Sequence, residues 1–350
     1  MDTLKIMKEL TQVIGIAGDE RHISQLMRTY MEPLCDEIVY DHLGSFFAVK
    51  KSKKANAQKV MVCGHMDEVG FMINDITKNG LLKFILIGAI DSQVLLSSRV
   101  RVVTQEGKEY VGVIGCSLDD VTTCDVKKMY IDLGATSKNE IEEMGICVGD
   151  SAVMDGDFTI LNNNRILSKA WDNRFGCVMA IEVLEALKDV ELDYDLYIGA
   201  TVQEEVGMRG ATTATGLIRP DMGIVMDCPS ANDYKGKDDE IGQLGKGVLI
   251  RYYDKGMMPN RALLNYLVKT CQDNQIPHQY FYNMGQTDSA WIHKLFAGCP
   301  TLSMCICARG GHTGNSMIDI HDYKSAKKAI INILTSIDHS QIQAFKEENR

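Results

Sequence analysis

The sequence predicts an α/β protein, with a mixed, largely parallel sheet sandwiched by helices and a small β-barrel-like domain inserted into it. Three observations carry this expectation. Apolar runs of strand length, such as KVMVC, LYIGATV and MGIVM, alternate with stretches of helical periodicity. That alternation favours a parallel sheet covered on both faces. Between about Glu68 and Arg165 the texture changes to short strand-like runs broken by glycine and polar turns, with few helical patterns, as in a barrel or sandwich. The expected division is therefore a main body of residues 1–67 and 166–350 and an inserted β-rich domain of residues 68–165. There is no internal repeat and no low-complexity segment.

Each element follows from its local pattern. The opening MDTLKIMKELTQVIGIAGDE reads as an amphipathic helix running into a glycine turn, and RHISQLMRTYMEPL as a second helix stopping near Pro33. DEIVYDHLGSFFAVKK reads as a hairpin-like strand pair, and KVMVCGHMDEVG as a buried strand ending at Gly64-His65. RVRVVT and YVGVIG are strands of the inserted domain. After SKAWDNRFG, residues Cys177, Ala180, Ile181, Leu184 and Leu187 form a helical apolar stripe. Strands ending at Val202, Met226 and Cys307 follow, with helical RALLNYLVKTCQDNQ between them and a helix at the C-terminal end.

Composition bounds the function. The 350 residues are 45% hydrophobic and 24% charged, as in ordinary globular proteins. A formal net charge of −10 argues against nucleic-acid partners, which need a basic footprint. No apolar run approaches the ~20 residues of a membrane span, and the N-terminal stretch has no secretory pattern. The 11 cysteines are odd in number, lack a Cys-x-x-Cys pair, and several sit within apolar runs. This usage points to a reducing cytoplasm.

The polar residues that follow the buried strands define a candidate site, because open α/β sheets bind ligands beyond the carboxyl ends of their strands. His65 and Asp67 follow KVMVC; Glu204 and Glu205 follow LYIGATV; Asp227 follows MGIVM; His312 follows TLSMCIC by a short loop. Asp172 lies where the helix after SKA begins. Two imidazoles with several carboxylates form a nitrogen and oxygen set suited to Zn²⁺, with Co²⁺ and Mn²⁺ as substitutes. The count satisfies two metals sharing one carboxylate. Neighbouring side chains on an extended chain point opposite ways, so Glu204 and Glu205 should do different work, one at a metal and one at an attacking water.

GHMDEVGFMI, AWDNRFG, VQEEVGMRGA, VMDCP, GQTDSAWIH and ARGGH resemble, in order and spacing, the co-catalytic metallo-aminopeptidases that assemble as tetrahedral particles, closest in look to glutamyl aminopeptidase. The resemblance implies Asp172 as the bridging ligand, His65 and Asp227 on one metal, Glu205 and His312 on the other, Glu204 as general base, and Asp67 orienting His65 through its far nitrogen. It implies two divalent ions, Zn or Co before Mn, short peptides cut at the N-terminal residue with Glu or Asp preferred, and a homo-oligomer, a dodecamer, built in part by the inserted domain. One departure is Gly310-Gly311, where the resembling glutamyl enzymes carry an aromatic-aliphatic pair. A deacylase of the same architecture and a non-catalytic scaffold are the other readings.

His22, His42, His278, His293, His321 and His339 fit no strand-end pattern and read as surface, turn or capping residues. Lys50, Lys51, Lys53 and Lys54 read as a solvated turn. Asp288 reads equally as structural support or substrate contact. Arg309 reads either as a partner for an acidic substrate side chain or as half of a structural ion pair.

Overall fold

A computed structural model of the chain describes residues 1–117, 125–237 and 240–348. Its main sheet has eight strands: β1 Glu37–Tyr40, β2 Phe46–Lys50, β3 Lys59–His65, β12 Asp195–Thr201, β13 Met222–Asp227, β14 Val248–Tyr253, β15 His278–Tyr282 and β16 Thr301–Cys305. Their spatial order is β1-β2-β12-β3-β13-β16-β14-β15. The four central strands β12, β3, β13 and β16 run parallel, so their carboxyl ends open on one edge. The β1–β2 hairpin joins antiparallel to β12, and β14 joins antiparallel to β16.

Between β3 and β12 the chain leaves the sheet. Strands β4 Gly70–Ile76, β5 Leu82–Ile87, β6 Arg99–Val103, β7 Glu109–Gly115, β8 Tyr130–Asp132 and β9 Ser151–Met154 close a barrel in the order β4-β5-β8-β7-β6-β9. Alternate residues of these strands, including Phe71, Ile73, Leu82, Phe84, Val100 and Val102, fill its interior. Two further strands, β10 Thr159–Ile160 and β11 Arg165–Ser168, pair with each other, and β11 pairs not with the barrel but with β17 Ser316–Asp319 of the main body.

Helices cover both faces of the main sheet. Alternation along β3 decides which residues meet them: Val60 and Val62 face one core, Met61 and Cys63 the other. The larger core takes α1 Thr3–Gln12, α2 Arg21–Met31, α4 Trp171–Leu187, α6 Arg261–Asp273, α8 Ile320–Ser336 and α9 His339–Glu347. The smaller takes α5 Arg209–Ile218 and α7 Ser289–Ile292; the short α3 Lys138–Glu143 belongs to the barrel. Helix α4 is apolar nearly all round and correspondingly buried. Its one acidic residue on the inner face, Glu182, is paired with Lys327 at 2.9 Å.

No helix among the described residues is long and apolar enough to cross a membrane. The ten described cysteines are unbridged, and Cys124 lies outside the described residues. The lysine turn is a solvated rim: Lys51 pairs with Glu37 at 2.7 Å, Lys54 with Asp193 at 2.5 Å, and Lys53 with Glu191.

Candidate metal centre

Strand β3 delivers His65 to the carboxyl edge of the sheet, and α4 delivers Asp172 beside it. Two glycines allow this approach: a Cβ on Gly64 would stand 2.8 Å from the Gly176 Cα, and one on Gly176 2.9 Å from the Gly64 Cα. Asp172 precedes the regular part of α4, with φ −86° and ψ 104°. Its carboxylate is therefore free of the helix and turns to the cleft. Asn173, fully buried, ties this corner to the sheet by donating from Nδ2 to the Met226 carbonyl at 2.6 Å.

The seven residues expected at the site come together. His65 Nε2 lies 3.1 Å from Asp172 Oδ1 and 3.9 Å from Asp227 Oδ1. His312 Nε2 lies 3.4 Å from Asp172 Oδ2 and 3.5 Å from Glu205 Oε1. The two oxygens of Asp172 thus face two separate triads, His65–Asp172–Asp227 and Asp172–Glu205–His312, each with donor atoms within 4.8 Å of one another. Glu204 Oε2 stands 4.0 Å from His65 Nε2, beside the first triad. The adjacent glutamates do diverge, although they leave the strand in a turn after Gln203 (φ 56°) rather than along an extended segment.

Asp67 is fully buried. Its main-chain oxygen is the nearer acceptor for His65 Nδ1, at 3.0 Å, with Oδ1 at 3.4 Å. The carboxylate itself accepts the backbone N–H of Glu204 on one oxygen and that of Glu205 on the other, each at 3.0 Å. Asp67 therefore holds the glutamate turn as well as the imidazole. Sequence reading missed a second anchor of that turn. Glu20, buried in the loop before α2, accepts the Gln203 N–H at 3.0 Å. It also missed the buried ion cluster below the site, where Lys169 Nζ meets Glu68 at 2.5 Å and Arg174 meets it at 3.2 Å. All three residues lie within or beside the quoted motifs, and a charge inside an apolar context is the signal that marks them.

The remaining candidates fall outside the triads. Arg309 is committed to Asp233 through two parallel bonds of 2.7 and 2.8 Å, the bidentate geometry that carboxylates favour. Asp288 is buried against Thr201, whose hydroxyl donates to Oδ2. Among the described residues, the other six histidines take no part in either triad. Gly310 does use its freedom, at φ +66°.

The electrostatics are those of crowded, desolvated acids. Burial pushes the Glu204 carboxyl well above its usual range, and the neighbouring His65 only partly offsets this. Burial, with the Asp172 charge, raises Glu205 to about 8 and Asp227 to about 7. Asp172 goes the other way: burial opposes its ionisation, but His312 and His65 together hold it well below the carboxylate range. Burial disfavours a charged His312, yet its contacts with Asp172 and Glu205 raise it to about 10.

These shifts fix a pH dependence for the metal-free protein. A carboxyl whose folded value is raised stabilises the fold below its unfolded value, and that stability is lost as pH rises through the folded value. For Glu205 and Asp227 the loss extends to pH 7–8. Raised His312 acts in the same direction up to about 10. The Tm of metal-free protein is therefore expected to fall from pH 5 to pH 9, and the increment restored by Zn²⁺ to grow, because metal competes with protons for these ligands. Thermal denaturation with and without Zn²⁺ across that range measures both; a rising metal-free Tm would contradict the assignment.

The residues fit two divalent ions. Each triad supplies one imidazole nitrogen and two carboxylates, counting Asp172 twice, a set matched to borderline cations. Glu205 Oε1 is buried without a hydrogen-bond partner, as expected of an oxygen facing a ligand.

Comparison with known proteins agrees with this geometry. The M42 glutamyl aminopeptidase family pattern matches residues 44–329. The glutamyl aminopeptidase of Lactococcus lactis is 32% identical over 356 residues, covering 99% of each chain. The lysyl aminopeptidase of Pyrococcus furiosus is 33% identical over 284 residues, covering 79% of this chain and 80% of the relative. Among solved structures, the TET aminopeptidase of a marine sediment Thaumarchaeota archaeon superposes with a TM-score of 0.93 at 34% identity, over 98% of this chain and 99% of that one. Pyrococcus horikoshii TET1 peptidase, which can assemble into a tetrahedron or a large octahedral shell, superposes with a TM-score of 0.87 at 27% identity, over 96% of this chain and all of that one. Motifs, fold and paired triads converge on one conclusion: the chain belongs to the M42 glutamyl aminopeptidase family of dinuclear metal-dependent aminopeptidases.

Proposed function

We propose that this chain removes the N-terminal residue from short peptides, with Asp172 bridging two divalent ions, His65 and Asp227 completing one site and Glu205 and His312 the other. The observation that carries the reading is the division of Asp172 between two triads, with Glu204 beside them. Zn²⁺ or Co²⁺ suits the donor set best, with Mn²⁺ as a substitute. When bound, the ions supply Lewis-acid polarisation of the scissile carbonyl and acidify the attacking water. Glu204 is the general base that takes the proton of that water and returns it to the leaving amine. Its carboxylate stands beside the first triad without belonging to either donor set, which leaves it free for both transfers. Asp67 fixes Glu204 and Glu205 through their backbone N–H groups and orients His65.

Acidic N-terminal residues are the preferred substrate class, on the strength of the Lactococcus relative; the lysyl relative makes Lys the discriminating competitor. Arg309, held by Asp233, is not the specificity cation. The protein works in the cytoplasm as a homo-oligomer, a dodecamer, to which the domain of residues 68–165 contributes contacts. The Pyrococcus horikoshii assemblies, a tetrahedron or a large octahedral shell, support the homo-oligomer. A panel of aminoacyl-anilides on metal-refilled protein tests the activity. Glu and Asp substrates are expected to lead. Turnover led by Lys or Leu would discard the acidic preference, and release of amino acid from N-acylated dipeptides alone would discard the aminopeptidase reading.

A further inference from the structure

The two triads are not supported alike. His65 and Asp227 stand on the main sheet: Asp67 O accepts from His65 Nδ1, and Asp227 Oδ1 accepts the Cys228 N–H at 2.7 Å. Glu205 and His312 instead meet the barrel. His312 Nδ1 lies 2.5 Å from the carbonyl oxygen of Ala89, a residue 223 positions earlier, just beyond β5. A carbonyl only accepts, so Nδ1 carries a proton, and in the neutral imidazole that a metal would need, Nε2 is the lone-pair nitrogen, the one facing Asp172 and Glu205.

The neighbouring barrel backbone is equally close. Gly88 turns the chain after β5 at φ +86°, and a Cβ there would stand 3.3 Å from Glu205 Cβ and 2.7 Å from Val69 Cγ1. From the other side, the segment after β9 grips the His312 loop. A Cβ on Gly156 would lie 1.7 Å from Gly314 O, and one on Gly314 2.5 Å from Asp155 O. Asp155 is in turn held by Arg101 of β6 at 2.9 Å. The barrel side thus holds His312 by a hydrogen bond and packs the Gly88 turn beside Glu205, whose N–H stays with Asp67; the contacts given above for His65 and Asp227 lie within the main body.

We infer that the inserted barrel is a positioning element for one metal position only, that of Glu205 and His312, through the Ala89 carbonyl, the Gly88 turn and the Gly156–Gly314 contact. The inference rests on the reading of the triads as metal sites. It gives the barrel a part in the chemistry separate from any part in assembly. Partners behind a metal-binding histidine commonly control affinity by about 10–100-fold, and the same range is expected here.

Titration of Co²⁺ into metal-stripped full-length protein, followed by visible absorption and calorimetry, reads the two sites separately. Wild type is expected to take two ions, and His312→Ala identifies the step belonging to the second triad. Gly88→Ala and Gly156→Ala are each expected to weaken that same step by about tenfold or more and leave the other unchanged. Gly107→Ala, at φ +83° on the β6–β7 turn with nothing within 4 Å, carries similar backbone strain and is expected to change neither step. The two test variants reach the site from opposite sides, so either one that folds decides the matter. Equal weakening of both steps, no change in either, or the same effect from Gly107→Ala would overturn the inference while leaving the metal assignment intact. A wild type that takes fewer than two ions would overturn both.

Discussion

Replacing Glu204 with glutamine is expected to lower kcat by ~10²–10⁴-fold, the usual contribution of a positioned general base, while both metal positions still fill. The amide keeps the shape and the backbone hydrogen bond to Asp67, but it cannot take a proton. Glu204 approaches the first triad without belonging to either donor set, which is why metal binding should survive. Steady-state kinetics with metal analysis on the same sample separates the two. Full activity in Glu204→Gln would remove Glu204 from the mechanism; loss of an ion would make it a ligand.

Asp172→Ala is expected to be more damaging still, with turnover falling on the order of 10⁵-fold or more as the metal-derived water activation is lost. The reason is geometric. Each oxygen of Asp172 faces a different imidazole, at 3.1 and 3.4 Å, so truncation leaves both triads with two ligands. His65→Ala and His312→Ala each remove a ligand from one triad only. Metal content after dialysis should therefore fall for both ions in Asp172→Ala and for one ion in each histidine variant. A single ion retained by Asp172→Ala at wild-type affinity would show that the carboxylate is not shared.

Much of this site is legible in the sequence because burial leaves a plain mark. Runs such as KVMVC and MGIVM cannot end in water-facing charge by chance at so many strand ends, and the parallel register then does the rest. Thr201 sits opposite His65 and Val225 opposite Cys63, so residues far apart in the chain arrive at one edge. Helix α4 is legible for the same reason, from its spacing of Cys177, Ala180, Ile181 and Leu184.

What stays hidden in the sequence is contact made by backbone. The support of His312 is a main-chain carbonyl, identical in every residue type, and nothing in the letters of Ala89 marks it. Asp67 was readable as a neighbour of His65, but not as the acceptor for two N–H groups 137 and 138 residues away. Whether Arg309 would meet a substrate or Asp233 depended on where a separate loop folds back. Closure of the barrel through β4 and β9 pairs Phe71 with Ala152, a non-local pairing that strand patterns alone do not specify.

Anomalous diffraction at the zinc edge, on crystals of the Zn²⁺-refilled protein, tests the central claim most directly. The account predicts two peaks flanking the Asp172 carboxylate, one against His65 and Asp227 and the other against Glu205 and His312. A single peak, or two peaks that do not share Asp172, would contradict it.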